Sequence, residues 1–348
     1  MNQSVSVIIP TKGTENFLCE AISSLLRIQE LKEIVVVSSK NIPNQFEHDR
    51  RVRVVIAPNA SIVEARNLGI ASTSGEIIAF TDDDCVVSND WISSVLPLFD
   101  DPTVAIVGGP GVTHPNDGQL AKCAGAALES IVGTYSSRSR YLPKQASVGD
   151  AGEQNLSTCN LFLRRAAIER VGYFDGTIYP CEENELIWRV KRRGYRVLYA
   201  PNCVVLHHRR PIILPFLYQI RAYARGRALL VSSYPRSLRL VSSSPSLLFI
   251  TVLTLPILYF VMKPMFYVMI TLVNTYLLAA FTAALYAVRR NGLGLPFQPL
   301  VWLTIVLMHL CYGATFLFSL SRNLIFHKTM KLFRRTPPIA VSVQERAP

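Results

Sequence analysis

Three consecutive carboxylates follow a short apolar run in the first third of the chain. The run is Ile77–Phe80, and after Thr81 come Asp82, Asp83 and Asp84. An apolar run of this length without Gly or Pro is typical of a strand buried on both faces. Adjacent carboxylates repel one another unless a cation neutralises them, and hard oxygen ligands suit Mg²⁺ or Mn²⁺. The pattern therefore predicts a divalent-metal site, with a solvated acidic turn as the alternative.

The elements around these acids indicate how they would be positioned. Strand patterns alternate with helix patterns, which predicts a largely parallel sheet with helices on both faces. Ligands of such sheets bind beyond the carboxyl ends of the strands, where the three acids would lie. Strands are predicted at residues 5–9, 34–37, 51–57, 77–80, 195–199 and 204–206. Helices are predicted at residues 17–26, 62–71, 91–99, 164–171 and 182–193.

Residues 111–156 give no clear period and are rich in Gly, Ser and polar groups. They are interpreted as a loop region on the substrate side.

The predicted helix at 91–99 follows Ser88, Asn89 and Asp90, which are residue types that cap helix N-termini.

The charge is distributed unevenly along the 348 residues. Between positions 240 and 321 the only Lys, Arg, Asp or Glu residues are Lys263, Arg289 and Arg290. A soluble domain followed by a membrane domain is the organisation that this distribution predicts. Uncharged apolar segments occupy residues 246–262, 264–288 and 300–320. The second and third reach the ~20 residues needed to cross a bilayer, whereas the first is marginal and contains Pro256.

Two membrane topologies remain open at this point. Three spans would put the basic tail on the opposite side from the N-terminal domain, against the positive-inside rule. Two spans, with 246–262 buried or re-entrant, would keep the tail on the same side but put Arg289 and Arg290 outside. Three spans are preferred. Residues 211–231 mix arginines with large apolar residues, which predicts a basic amphipathic helix on the bilayer surface; a helix packed on the soluble domain is the alternative.

Composition also bears on compartment and partners. The N-terminal sequence lacks the features of a signal peptide, so the first domain is expected in the cytosol on the inner membrane of the cell, with several membrane passes behind it. Seven cysteines without CxxC pairs indicate reduced thiols. The net charge of +12 is explained by anionic lipid, and no nucleic acid is expected because no aromatic RNA-binding motif accompanies it.

Five motifs occur in order between the first strand and the end of the soluble domain. They are Val5-Ser-Val-Ile-Ile-Pro-Thr11, Glu64-Ala-Arg-Asn-Leu-Gly69 with the acidic run that follows it, Asn160 with Gly172-Tyr-Phe-Asp175, Glu182-Glu-Asn-Glu-Leu-Ile-Trp-Arg189, and Ala200-Pro-Asn-Cys-Val-Val-Leu-His207. In this order they resemble the family 2 glycosyltransferases, whose acidic run is a DXD metal motif.

The resemblance implies a fold and a division into domains. The fold class is an α/β GT-A-type domain that binds a nucleotide sugar on a mostly parallel sheet, followed by an all-α membrane domain. The expected boundaries are 1–210 for the GT-A domain, 211–245 for an interfacial linker, 246–320 for the membrane segments and 321–348 for a basic tail.

The resemblance also implies roles on the donor side. Asp82 and Asp84 would participate in holding Mn²⁺ or Mg²⁺ beneath the donor diphosphate, with Asp84 as the direct ligand. His207 would supply a further metal ligand; a packed or solvated histidine is the alternative, and His208 beside it makes the assignment ambiguous. The residues expected to contact the nucleotide sugar are Thr11, Arg66, Asp82 and Asp83.

On the acceptor side the resemblance assigns the general base to Glu183, where the family usually has Asp. Glu182 and Glu185 are its rivals, and a charged first turn favoured by the helix dipole is the alternative interpretation. The acceptor-side residues are expected to be Glu182, Glu185, Trp188 and Arg189.

Two departures from the family pattern keep alternative functions open. Val37-Ser-Ser-Lys40 stands where members often have Asp-Gly-Ser, so recognition of a uridine donor is not expected from this position. Gln219-Ile-Arg-Ala-Tyr223 differs from the Q-x-x-R-W motif of processive synthases. The expected function is metal-dependent, inverting transfer of a sugar to a membrane-held, lipid-linked or glycan acceptor in envelope or exopolysaccharide assembly. The alternatives are a processive polysaccharide synthase and a catalytically silent nucleotide-sugar-binding membrane protein.

Overall fold

The chain folds into an N-terminal α/β region followed by long helices, in a computed structural model that describes residues 3–13, 15–42, 46, 49–143 and 147–330. The strands are β1 (Val5–Thr11), β2 (Leu31–Ser38), β3 (Val52–Ile56), β4 (Ile77–Phe80), β5 (Cys85–Val87), β6 (Val104–Gly108), β7 (Gly111–Thr113), β8 (Gly149–Asp150), β9 (Leu161–Arg164), β10 (Arg196–Tyr199) and β11 (Val205–His207). The helices are α1 (Glu15–Leu26), α2 (Ile62–Ala71), α3 (Gln119–Glu129), α4 (Ile131–Thr134), α5 (Arg165–Val171), α6 (Glu182–Arg192), α7 (Leu214–Ser233), α8 (Leu240–Val261), α9 (Lys263–Arg290) and α10 (Gln298–Met330).

The main sheet has eight strands in the order β3-β2-β1-β4-β9-β6-β10-β8. Strand β9 runs antiparallel to β4 and β6, and β8 runs antiparallel to β10, while the other pairs are parallel. All seven positions of β1 and all four of β4 are buried, as a central strand covered on both faces requires. The mostly parallel sheet expected from the alternating pattern is confirmed.

Separate apolar clusters cover the two faces of this sheet. One is formed with α1 and includes Leu18, Ile22 and Trp91. The other is formed with α2, α5 and α6 and includes Ile168 and Leu186. The sheet is thereby packed against helices on both faces.

A second, three-stranded sheet brings a distant segment to the acidic run. Its order is β5-β11-β7, and β5 begins directly after the three aspartates. The antiparallel pairing of β5 with β11 places His207 opposite Cys85. Residue 207 therefore lies beside the acids because of strand register, although more than a hundred positions separate them in the sequence.

Two local predictions were wrong. Residues 91–95 form turns and Leu96–Asp100 is a 3₁₀ helix, because Pro97 cannot continue an α-helix interior. The region 111–156, predicted as a loop, contains the eleven-residue helix α3. Several of its buried residues, such as Ala124 and Gly125, have small side chains that give little hydrophobic signal in the sequence.

The C-terminal region is all helical, as predicted. Among the described residues, three helices are long and apolar enough to cross a membrane, at Leu240–Val261, Lys263–Arg290 and Leu295–Ile325. These positions agree with the three predicted segments. The basic tail predicted at 321–348 lies outside the described residues beyond position 330.

Helix α7 joins the two regions. Its buried residues include Phe216, Ile220 and Ala224, which pack against α3, α9 and α10, whereas Arg221 and Arg225 are exposed. The helix is therefore packed against the other helices along one side, and Arg227 is buried in that packing.

Candidate active site

The carboxyl ends of three parallel strands meet at one edge of the main sheet. Strand β1 ends at Thr11, β2 ends at Ser38, and β4 leads through Thr81 into Asp82. The hydroxyl of Thr11 donates to a carboxylate oxygen of Asp83 and accepts from the backbone N–H of Gly13 at 3.0 Å. This pair fixes the middle acid against the turn after β1.

The outer two acids approach His207. Nε2 of His207 is 3.2 Å from Oδ1 of Asp84, and one ligand atom each from Asp82, Asp84 and His207 lie within 4.8 Å of one another. Nη1 of Arg209 is 3.0 Å from Nδ1 of His207. Burial opposes the charged imidazolium, but the adjacent Asp84 outweighs it and raises the pKa of His207 to about 10. Coordination through Nε2 would therefore displace a proton towards Asp84 or solvent.

The two outer acids have opposite electrostatic surroundings. Burial raises the pKa of Asp82 to about 7. The guanidinium of Arg66 acts in the opposite direction, but at 3.8 Å it does not offset the effect of burial. Burial also opposes ionisation of Asp84, but the adjacent His207 outweighs it and lowers the pKa of that carboxyl. Two carboxylates and an imidazole, close together and incompletely neutralised, fit a divalent cation with oxygen and nitrogen ligands.

Arg66 links these acids to α6. Its guanidinium is 95% buried, pairs with Glu182 and donates to the hydroxyl of Thr158 at 2.9 Å. Burial raises the pKa of Glu182 to about 7, and the neighbouring Glu183 contributes in the same direction. A capping box between Ser61 and Glu64 begins α2 and thereby sets the direction from which Arg66 enters the site.

The next acid along α6 faces another way, since successive residues of a helix point about 100° apart. Oε1 of Glu183 is 3.5 Å from Nη2 of Arg140. The same guanidinium nitrogen donates to Oδ1 of Asn184 at 2.6 Å, and Nε of Arg140 donates to the carbonyl of Gln154 at 3.1 Å. Glu182 and Glu183 therefore lie on two different sides of the first turn.

Glu185 and Arg189 form a third arrangement on α6. Their side chains are joined by two hydrogen bonds of 2.9 and 2.6 Å. Arg189 also donates to the carbonyls of Val171, Gly172 and Tyr173, and thus holds the turn that follows α5. Both side chains therefore make their hydrogen bonds to other groups of the protein.

Two other predicted positions are also engaged by the fold. The ring of Trp188 packs against Tyr234 with centroids 4.8 Å apart, and Arg192 lies over it at 4.7 Å. Asn160 is completely buried, accepts from the indole N–H of Trp91 at 2.9 Å and donates to the carbonyl of Cys203 at 2.6 Å. Asn160 therefore ties β9 to the segment before β11.

A cavity of about 390 Å³ opens on the Glu183 side of α6. Its lining includes Arg140, Glu183 and Asn184 at one end, and Leu248 and Met308 of the long apolar helices at the other. No local signal in the sequence pointed to Arg140, which falls in the region without a period. The same holds for Thr158, Arg227 and Arg239, which reach the site or the cavity only through tertiary packing.

Two further clusters of ligand-type side chains lie near the site. Cys85 and Cys159 approach His207, and Glu20 approaches His114 and His208, with the ligand atoms of each trio within 4.8 Å. In the second trio Nδ1 of His114 accepts from the backbone N–H of Asn116 at 3.2 Å, so its neutral ring presents N–H towards Glu20.

Comparison with known proteins identifies the N-terminal region. Residues 6–172 match the family model "Glycosyl transferase family 2". The chain is 26% identical over 239 residues to the pre-mycofactocin glycosyltransferase of Mycobacterium tuberculosis, covering 67% of this chain and 49% of that protein. It is 28% identical over 220 residues to glycosyltransferase AglE of Haloferax volcanii, covering 60% and 67% respectively. The chain thus spans about half the length of the first of these relatives.

A synthase and a solved structure are also similar to parts of the chain. The poly-beta-1,6-N-acetyl-D-glucosamine synthase of Staphylococcus aureus is 24% identical over 210 residues, covering 57% of this chain and 48% of that protein. The mannosyltransferase PcManGT from Pyrobaculum calidifontis, solved with GDP-Man and Mn²⁺, has a TM-score of 0.49 and 18% identity, covering 96% of this chain and 88% of that one.

Proposed function

We propose that the protein, whose residues 6–172 match the glycosyltransferase family 2 model, is a membrane-anchored, inverting glycosyltransferase. It transfers a sugar from a nucleotide donor to an acceptor held at the membrane. The observation that carries the proposal is the arrangement around the first turn of α6, where the acidic edge of the sheet lies on one side and the cavity on the other.

The donor is proposed to bind at the edge where β1, β2 and β4 end. Asp82, Asp84 and His207 are the residues that would hold Mn²⁺ or Mg²⁺, given their spacing and incomplete neutralisation. A bound divalent cation supplies charge neutralisation for the departing diphosphate. Arg66, held in place by Glu182 and Thr158, is directed at the same region and contributes a fixed positive charge.

Glu183 is the proposed general base. Of the three acids in the first turn of α6, Glu182 is paired with Arg66 and Glu185 is paired with Arg189. Glu183 makes only the longer contact with Arg140 and lines the cavity. In the proposed step the acceptor hydroxyl oxygen bonds to the anomeric carbon while the bond from that carbon to the diphosphate oxygen breaks. The bonding electrons leave with the diphosphate, and Glu183 takes the hydroxyl proton.

The test uses the full chain in detergent with a panel of nucleotide sugars. We expect one donor to raise the thermal unfolding temperature in the presence of Mn²⁺ or Mg²⁺, and we expect slow hydrolysis of that donor that stops when the metal is chelated. Binding without any hydrolysis or transfer would support the catalytically silent alternative instead.

A further inference from the structure

The cavity beside Glu183 has a polar end and an apolar end. The polar side chains at one end are held in place by contacts with the protein. Arg140 lies between Glu183 and the backbone of residues 153 and 154. Arg227 and Arg239 both contact the side chain of Glu153. Beyond these arginines the lining passes to Ile220, Leu248, Met308 and Tyr312. A molecule that filled this space would need a charged or polar head and a hydrocarbon tail.

The polar end carries more positive than negative charge. Three arginines line the cavity, and the only carboxylate in its lining is Glu183 among the residues that the structure describes. Glu153 lies behind the wall and is shared by two of the arginines, at 2.9 Å from Nε of Arg239 and 3.7 Å from Nη1 of Arg227. Three guanidiniums against two carboxylates leave one positive charge without a partner.

Among these arginines, Arg227 is buried and has a donor nitrogen without a hydrogen-bond partner in the described residues. It is 93% buried, and Nη2 donates to the carbonyl of Ser237 at 2.7 Å. Within the described part of the chain its Nε has no hydrogen-bond partner. A buried guanidinium whose donors are incompletely used is destabilising unless an anion pairs with it, and the planar fork of Arg suits phosphate oxygens.

We propose that this cavity binds a phosphate-bearing lipid, which is the acceptor of the reaction. Its phosphate lies against Arg227 and Arg239, its hydroxyl reaches Glu183, and its hydrocarbon chain runs among the apolar side chains of α7, α8 and α10. The inference rests on the proposed function for the transfer step, whereas lipid binding itself does not depend on catalysis. The size of the cavity, about 390 Å³, is within the range of ordinary ligand sites.

The apolar end supports a lipid in preference to a free sugar phosphate. Leu248 belongs to α8 and Met308 to α10, and both helices contain segments long and apolar enough to cross a membrane. The cavity is therefore continuous with surfaces that a bilayer would cover, so a hydrocarbon chain could extend from one to the other. A soluble phosphate would leave this part of the lining without a partner.

The test measures binding to the full chain by native mass spectrometry after release from detergent micelles. The probe is 1-oleoyl lysophosphatidylglycerol, which has one hydrocarbon chain, a phosphate and hydroxyls beyond it. Lysophosphatidylcholine with the same chain lacks net charge, and glycerol 3-phosphate lacks the chain. We expect the anionic lipid to bind about tenfold or more tightly than the zwitterionic lipid. Glycerol 3-phosphate should not compete at the same concentration.

Variants locate the site. Arg227→Gln should weaken binding of the anionic lipid about tenfold or more, and Arg239→Gln, whose side chain is 41% exposed and tolerates substitution, should act in the same direction. Arg225→Gln, an exposed arginine of the same helix, is the matched control and should bind as the wild type does. Leu248→Trp should fill the apolar end and reduce binding of both lipids.

Three results would each overturn the proposal: equal binding of the two lipids, equal competition by glycerol 3-phosphate, or wild-type binding in both Arg227→Gln and Arg239→Gln. Binding of the nucleotide sugar is measured on the same samples. If the donor binds and the anionic lipid does not, the lipid site is wrong and the proposed function stands. If the lipid binds and no donor does, the proposed function fails and the lipid site stands.

Discussion

Glu33 and Asp82, at opposite edges of the main sheet, have opposite electrostatic surroundings. At the amino-terminal edge, burial opposes ionisation of Glu33, but hydrogen bonds from Ser74, Ser6 and Arg53 outweigh it and lower its pKa to about 2. At the carboxyl-terminal edge, burial raises the pKa of Asp82 to about 7. One acid is surrounded by donors at 2.8 to 3.2 Å, and the other has its nearest guanidinium at 3.8 Å.

This difference separates acids that stabilise the fold from acids that are available for chemistry. A fully hydrogen-bonded carboxylate is more stable when the protein is folded, and it has little capacity left for a ligand. A buried carboxylate without enough donors destabilises the fold unless something else pairs with it. Substitutions at the two edges should therefore affect different measurements.

The largest expected effect is on turnover at the carboxyl-terminal edge. Asp84→Ala should lower metal-dependent donor turnover by about 10²–10³-fold, because it removes one carboxylate of the proposed metal site and leaves His207 without its partner. The protein should stay folded, with an unfolding temperature that is the same or lower, because His207 loses its ion-pair partner. Asp100→Ala, at an exposed acid of the same domain, is the control. Wild-type turnover in Asp84→Ala would refute the assignment of the metal site.

The two acids at the start of α6 give the next largest effect. Glu183→Gln should reduce transfer by about 10²-fold with unchanged donor affinity, which is the scale of a lost general base. Glu182→Gln should instead raise the KM for the donor, because it releases the buried Arg66. Steady-state kinetics with varied donor separates the two outcomes.

The opposite result has a definite meaning. If Glu182→Gln abolishes transfer and Glu183→Gln behaves as the wild type, the base lies on the donor side of α6. The alignment with the family motif would then be displaced by one position.

A smaller effect is expected where the helices meet the site. A Cβ at Gly226 of α7 would lie 2.8 to 2.9 Å from atoms of Pro180, including its backbone. Gly226→Ala should therefore destabilise the protein by about 1–3 kcal/mol and reduce transfer more than donor hydrolysis, since Pro180 lines the cavity just before α6. Gly118→Ala, at a position with φ of −64° and open space, is the matched control for unfolding and kinetics.

The carboxyl-terminal edge could be largely predicted from the sequence. A four-residue apolar run indicated β4, and the acids that follow it were expected at a ligand-binding edge. The link from these acids to residue 207 came from the family resemblance, because the pairing of β5 with β11 is a long-range contact. The membrane segments were predicted because uncharged apolar runs are a local signal.

The cavity could not be predicted in this way. Its polar lining comes from Arg140 at the end of a short 3₁₀ helix, from the first turn of α6, and from Arg227 of a helix that also packs against apolar helices. None of these has a spacing that indicates a shared site. Helix α3, which supports the cavity through Leu128, has several buried Ala and Gly residues, whose small side chains gave little hydrophobic signal.

The smallest expected effect is on stability at the amino-terminal edge, and it depends on pH. Glu33→Gln should lower the free energy of unfolding by roughly 1–2 kcal/mol near neutral pH, because the ionised carboxylate accepts hydrogen bonds from Ser74, Ser6 and Arg53. A pKa lowered in the folded state contributes stability that is present above the unfolded value of 4.5 and is lost as the pH falls towards 2. The free energies of unfolding of wild type and variant, measured by denaturant titration, should therefore converge as the pH falls from about 4.5 to 2. Donor turnover at neutral pH should be the same in both. Glu30→Gln, at an exposed acid just before β2, should show neither change. Loss of turnover without loss of stability in Glu33→Gln would mean that both edges carry functional acids, and the contrast between them would not hold.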